Sequence, residues 1–301
     1  MDLTRFGAAP PWSLGVEEEL MLVDAETFEP AQDGFSRVFG EATERIKPEL
    51  FESFVEITTA IRETPEEIES ELRLLRHEVA ERAAAHGLAV LATGSHPTAR
   101  RRVPIVPVER YERMKEKLGP RLYRQTVCGL HVHVAVPDPD TCLHAFEGVV
   151  DRLPELLAAS ANSPFWDGAE SGWRSIRSQI LLEMPTGGTP PVLRSWDDWR
   201  TASRDDSTRR HWDAWPRPEY GTLEVRVMDQ PTSVRRTAEL AAEVQRLVCE
   251  VAEAGGEPVD RDEYAARRDA AGREGGGPEA ERQLELGPEG ALREIATRTV
   301  G

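Results

Sequence analysis

Three segments of the 301-residue chain alternate their chemistry with a period of two, and this alternation constrains the fold more than any other feature. From Ser13 to Asp24, Leu14, Val16, Leu20 and Leu22 share one parity, and Gly15, Glu17, Glu19 and Met21 share the other. From Val127 to Val136, His131 and His133 alternate with Leu130, Val132 and Val134. From Thr222 to Met228, Thr222, Glu224 and Arg226 alternate with Leu223, Val225 and Val227. Successive side chains of a strand point to opposite faces. Each segment therefore predicts a strand with one apolar face for a core and one face of ionisable groups. Glu18 falls on the apolar parity, and the pattern assigns it no chemistry.

Other elements frame these strands. Leu50 to Ile61 alternates as well, with Val55, Ile57, Thr59 and Ile61 on one face and Glu52, Phe54, Glu56 and Thr58 on the other. A helix follows, because Thr64 is an N-cap, Pro65 suits the first helical position and Glu67 completes a capping box. Ile68, Leu72, Leu75 and Val79 form its apolar stripe, and Gly87 is its expected stop. Leu88 to Ala92 reads as a short buried strand. Asp140 to Ala161 reads as a helix kinked or broken at Pro154, and Val234 to Ala254 as a second amphipathic helix. Strands and helices mix without a regular βα period, which predicts the α+β class. The expected organisation is one domain over 1–254. A Gly-, Glu- and Arg-rich segment over 255–301, with its Gly275-Gly276-Gly277 run, is expected to be loosely packed or partly disordered.

Composition narrows the function classes. Lys and Arg total 37 against 54 Asp and Glu, a net charge of −17. That balance makes a nucleic-acid backbone a poor partner. No apolar run approaches the roughly 18 residues needed to span a bilayer. Met1 to Pro10 has neither the basic nor the apolar stretch of a secretory signal. Cys128, Cys142 and Cys249 have no paired spacing, as expected of reduced thiols in the cytoplasm. No membrane partner is indicated, and a homodimer is compatible with the sequence.

The polar strand faces carry the chemistry. Glu17 and Glu19 aim two carboxylates the same way, and like charges that close need a cation or a proton between them. A hard divalent ion such as Mg²⁺ is the natural choice. An exposed acidic face is the alternative. Glu52 and Glu56, with Glu49 nearby, repeat the arrangement. His131 and His133 form an i, i+2 imidazole pair that can ligate a metal or contact a phosphate or carboxylate. A satisfied pair of strand histidines is the alternative. Glu224 followed by Arg226 pairs a metal-binding acid with a guanidinium suited to a phosphate or carboxylate, or else forms an ion pair within one strand. His96 sits in a loop after a buried strand, where sites tend to form. Arg177 is a candidate anion binder. Thr186-Gly187-Gly188-Thr189 suits a loop over phosphates, and Arg100-Arg101-Arg102 reads as a solvated charge run. No nucleophile elbow or Ser-His-Asp arrangement is present. Many carboxylates with few lysines call for several Mg²⁺ ions, and several Mg²⁺ ions usually mean a polyphosphate substrate.

These strings resemble, in order, the glutamate–cysteine ligase type 2 family, carboxylate–amine ligases related to glutamine synthetase. The matching segments are Leu14 to Glu19, Glu49 to Glu56, Gly94 to Pro97, Gly129 to Val134, Ser160 to Pro164, Arg177 to Gln179, His211 to Asp213 and Gly221 to Asp229. The resemblance implies a curved, mainly antiparallel sheet with flanking helices, its concave face binding Mg²⁺ and ATP. It also implies the reaction. ATP phosphorylates the γ-carboxylate of glutamate or a similar acid. An amine, typically that of cysteine, then displaces phosphate, leaving an amide and ADP. On this reading Glu17, Glu19, Glu52, Glu56, Glu224 and His131 hold metal. His96, His131 and Arg226 lie at the nucleotide, and Arg226, Arg177 and His133 are catalytic. The amine acceptor is left open. The alternative is a nucleotide-binding regulatory relative that has lost ligation, since Trp215 stands where the family usually has Arg.

Overall fold

The computed structural model describes residues 2–100, 102–184, 187–204, 211–256 and 258–300. Arg101 and Thr186, in two of the segments named above, lie outside them. The main sheet contains β1 (Leu14–Asp24), β2 (Ile46–Pro48), β3 (Phe54–Thr58), β4 (Leu88–Leu91) and β5 (Leu130–Ala135). Two short pairs, β6 (Phe165–Trp166) with β7 (Ala169–Glu170) and β8 (Gly187–Gly188) with β9 (His211–Trp212), lie apart from it. The main sheet is completed by β10 (Ala214–Arg217) and β11 (Thr222–Val225), in the order β10-β11-β5-β1-β3-β2, with β4 also on β1. Every pairing in it is antiparallel. The α+β class expected from the sequence is the class observed.

The helices are α1 (Gly34–Val38), α2 (Pro65–Ala84), α3 (Glu109–Leu118), α4 (Pro139–Ser160), α5 (Ile176–Leu182), α6 (Trp196–Ala202), α7 (Val234–Ala254), α8 (Arg261–Glu274) and α9 (Pro278–Arg298). The capping box of α2 forms as read, with Thr64 and Glu67 each accepting the other's backbone N–H. Such a cap stabilises a helix by about 1 kcal/mol. The even-numbered side chains of β1 and their β5 and β11 counterparts make one core with α2, α4 and α7. Leu14, Val16, Leu20, Val132, Val134, Leu223 and Val225 are all fully buried there. Each such side chain contributes roughly 1.5–3 kcal/mol relative to exposure. The opposite face of these strands is left to the ionisable parity.

Glu18 is the exception on the core face, and Arg76 of α2 explains it. Arg76 donates two hydrogen bonds to its carboxylate, at 2.7 and 2.6 Å, and Thr237 and Gln230 donate at 2.6 and 3.1 Å. The remaining Arg76 donors reach the carbonyls of Pro231, Thr232 and Thr299. Both side chains are completely buried, so the ion pair joins β1, α2, α7 and the end of the chain.

Three expectations are corrected. The segment from Leu50 is not one strand, because a turn closes from Phe51 to Phe54 (Phe54 N to Phe51 O, 2.9 Å) and resets the alternation before β3 begins. Helix α4 is not broken at Pro154, the second of the two outcomes expected there, since Leu153, Leu156 and Leu157 keep that turn buried in the core. Helices α8 and α9, beyond Gly255, are not loosely packed. Tyr264 and Arg268 of α8 are buried on Asp213, at 2.6 Å from each, and Gln283 of α9 reaches Asn162 at 2.6 Å. Composition misled there because polar anchors share the docking with a short apolar set, Ala291, Leu292 and Ile295 of α9.

Candidate active site

The site grows out of strand register. Glu17 on β1 lies opposite His131 on β5, Gly15 opposite His133, and His133 in turn opposite Glu224 on β11. On the other side of β1, Glu19 lies opposite Glu56 of β3. Period two and antiparallel pairing thus bring residues from four distant segments onto one face.

Two carboxylate-rich groups result. In the first, ligand atoms of Glu17, His133 and Glu224 all lie within 4.8 Å of one another. His133 Nε2 is 3.5 Å from Glu224 and 3.8 Å from Glu17, while its Nδ1 is 3.0 Å from the Thr222 hydroxyl. In the second, Glu19, Glu49 and Glu56 are grouped as tightly. His131 stands between the groups, its Nδ1 3.2 Å from Glu17 and its Nε2 3.9 Å from Glu19. These oxygen-rich donor sets fit a hard divalent cation. One observation supports the fit in particular. Glu224 Oε2 is buried and accepts no hydrogen bond, although Arg217 Nη1 lies 3.4 Å away.

The electrostatics are unequal. Burial alone would raise the Glu17 pKa, but the His131 hydrogen bond and the charges of His133 and Arg226 outweigh it and hold the carboxyl well below its usual range. Glu224 is likewise opposed by burial, yet Arg226, Arg217 and the histidines bring it down to about 2. Both are ionised at neutral pH. The His131 pKa is lowered as well, chiefly by burial and then by the charge of Arg226, and for an imidazole this leaves the ring neutral. Arg226 is pinned by a hydrogen bond to Glu224.

Seven of the candidates read from the sequence meet here: Glu17, Glu19, Glu56, His131, His133, Glu224 and Arg226. Glu52 does not. The turn at Phe51 points its carboxylate at α1, where the Ser36 N–H and hydroxyl donate to it at 3.1 and 2.7 Å. Glu49 occupies the place expected for it. His96 is also elsewhere engaged. Its Nε2 donates to the Phe28 carbonyl at 2.9 Å, and its Nδ1 accepts from the N–H groups of Thr98 and Ala99. Burial brings its pKa down to about 4, so it fixes a loop as a neutral imidazole. Arg177 is buried beneath the site and donates to the carbonyls of Val227 and Arg226, at 3.2 and 3.1 Å. A Cβ at Gly129 would come within 2.1 Å of its Nη2, so only glycine leaves room for this guanidinium.

Arg217, Tyr220 and Gln125 were missed. Tyr220 packs edge-on to His133, with ring centroids 5.6 Å apart. The Trp215–Arg217 alternation in β10 was the available signal for Arg217. Three cavities adjoin this face. A small one of about 30 Å³ is lined by Glu19, Glu49, Gln125, His131, Arg177 and Arg226, among others. A wider groove of about 530 Å³ runs over Gly15, Glu17, His133 and Tyr220. A third, of about 200 Å³, is lined by Arg100, Arg102, Tyr123, Arg124 and Trp166.

The chain is similar to known proteins in sequence and in fold. A family model described as glutamate-cysteine ligase family 2 matches residues 13–276. A Rubrobacter xylanophilus protein named "Putative glutamate–cysteine ligase 2-1" is 37% identical over 249 residues, which is 79% of this chain and 66% of that protein. A Herpetosiphon aurantiacus protein named "Putative glutamate–cysteine ligase 2" is 34% identical over 254 residues, again 66% of its length. The matched region thus spans just under two thirds of these relatives. Among solved structures, a glutamate–cysteine ligase from Francisella tularensis, in complex with AMP, superposes with a TM-score of 0.58 at 13% identity, covering 95% of this chain and 81% of that one. A bifunctional glutathione synthetase from Pasteurella multocida gives the same TM-score at 18% identity, covering 96% and 46%. At such identities the likeness is one of fold. With the family model matched over most of its length, the chain belongs to glutamate–cysteine ligase family 2.

Proposed function

We propose that this sheet face is the centre of an ATP-dependent carboxylate–amine ligase. It joins the γ-carboxylate of glutamate, or a similar acid, to the amine of cysteine or another small molecule, with release of ADP and phosphate. The observation that carries the reading is the pair of carboxylate groups, Glu17–His133–Glu224 and Glu19–Glu49–Glu56, on either side of His131 and next to Arg226. Glu17, Glu19, Glu49, Glu56, Glu224 and His133 would hold Mg²⁺. When bound, Mg²⁺ supplies the positive charge that neutralises phosphate oxygens.

The side chains divide the remaining work. Arg226 presents a guanidinium, fixed by Glu224, to an anionic oxygen in the small cavity. Arg177 is a positioning residue, since it holds the main chain that carries Arg226. His131 orients Glu17 as a neutral ring. No protein nucleophile is required if the acyl group is activated by phosphorylation. The thiol of Cys128 agrees with this, because burial pushes its pKa well up and leaves it inert. The buried free thiols of Cys128 and Cys142 suit a reducing, cytoplasmic setting. Among the described residues, no helix is long and apolar enough to cross a membrane.

The test is to incubate the protein with Mg²⁺, ATP, glutamate and a pool of amines, and to follow ADP and new amide masses together. A γ-glutamyl product formed with ADP supports the ligase and names the acceptor. Nucleotide binding without product for any acid or amine supports the regulatory alternative instead.

A further inference from the structure

Gln125 carries a feature that the proposed chemistry has not used. It follows the 3-10 turn Gly119–Arg124, and its own N–H is spent on the Leu122 carbonyl at 3.0 Å. The side chain is 6% exposed, and its Nε2 is fully buried with no hydrogen-bond partner. A buried donor left unpaired is costly, and such groups in native proteins call for an explanation. Here the explanation lies in what the amide faces. Gln125 lines the small cavity together with Arg226, His131, Glu19 and Glu49. Glu19 and Glu49 belong there to the Glu19–Glu49–Glu56 group, which on the proposed reading would hold a cation. Gln125 and Arg226 present donors, and donors converging on one cavity require an acceptor.

Size limits that acceptor. The cavity holds about 30 Å³, close to the share of one water molecule in the liquid. It admits an oxygen of an anionic head group, and a whole amino acid does not fit. Phe54 also lines the neighbouring basic cavity of about 200 Å³, with Arg102 and Arg124. We infer that the Gln125 amide, together with Arg226, seats the reacting carboxylate of the acid substrate. The inference rests on the ligase reading of this site and adds a specificity-determining residue to it.

The experiment compares wild type, Gln125→Leu and Gln125→Glu. Losing one hydrogen bond to a charged group raises the KM for glutamate about ten- to a hundredfold in Gln125→Leu. It leaves the KM for ATP unchanged. Gln125→Glu, which also places a negative charge against the carboxylate, raises it further. Removing an unpaired donor leaves the thermal midpoint of Gln125→Leu without ligand equal to or above that of wild type, whereas a purely structural glutamine would lower it. An unchanged KM for glutamate overturns the inference, and so does an equal rise in both KM values. If wild type releases no ADP with any acid, the ligase reading fails. Glutamate calorimetry then decides for Gln125 separately. Binding that weakens in Gln125→Leu supports the seat, and no binding by wild type overturns it.

Discussion

Glu17, Glu18 and Glu19 are consecutive on one strand, yet their carboxylates live in opposite conditions. Glu18 faces the helices and accepts four hydrogen bonds, two of them from a buried guanidinium. Glu17 and Glu19 face the other way, toward imidazoles and further carboxylates. Burying a charge is tolerable only when it is paired. On the helix side the protein supplies the partner from within. On the other side it gathers acids around two imidazoles and Arg226, a donor set that, on the proposed reading, would hold a cation. A carboxylate paired with a buried guanidinium ties the helices to the sheet, and the acids gathered on the opposite face form the candidate site.

This contrast can be broken from either side. The largest effect is expected on the saturated side. Glu18→Ala strands Arg76 as an uncompensated buried charge, and urea unfolding should show a loss of about 3–5 kcal/mol. Replacing both partners by leucine should recover most of it, because no charge is then left behind. On the other face, Glu17→Gln should leave the unfolding midpoint within about 1 kcal/mol. It should lower ADP production about a hundred- to a thousandfold, the scale seen when one transition-state electrostatic contact is lost.

A third comparison sets His96 against the site histidines. With a folded pKa of about 4 and an ordinary unfolded value near 6.5, it is neutral in both states above pH 6.5. Between pH 6.5 and 4 the unfolded chain takes up the proton and the folded chain does not. Its contribution is therefore whole at neutral pH and is lost as the pH falls through that window, by about 2–3 kcal/mol. Urea titrations at pH 7 and pH 4.5 should show this slope in wild type, and it should flatten in His96→Gln. The smallest effect belongs to Glu52. Its partners are Ser36 and the start of α1, so Glu52→Gln should cost about 1 kcal/mol of stability. ADP production should stay at the wild-type level.

What was legible in the sequence followed the reach of its periodicities. Alternation in β1, β5 and β11 encodes which side chains share a face, so six of the seven grouped candidates were readable there before any fold was known, and Glu56 was readable from β3. The capping box and the bounds of α7 are equally local. Glu52 was misplaced because a single turn, Phe51 to Phe54, reverses a parity that alternation alone assumes to continue. Glu18 had no role because its partner lies 58 positions away. The signal was present in α2, where Arg76 sits on the apolar stripe between Leu72 and Val79. Helices α8 and α9 were missed because Tyr264, Arg268, Glu279 and Gln283 dock them by hydrogen bonds to Asp213, Thr232 and Asn162. Such contacts leave no hydrophobic period, and the apolar set of α9, Ala291, Leu292 and Ile295, is confined to its second half.

The most direct test of the division on β1 is a Mn²⁺ titration followed by electron paramagnetic resonance, with Mn²⁺ standing in for Mg²⁺. Wild type, Glu17→Gln, Glu224→Gln and Glu52→Gln would be compared at neutral pH. The account predicts saturable binding to wild type and to Glu52→Gln with equal affinity, and at least about a tenfold loss, roughly 1.4 kcal/mol, in Glu17→Gln and Glu224→Gln. Equal affinities in all four proteins, or a loss confined to Glu52→Gln, would contradict it.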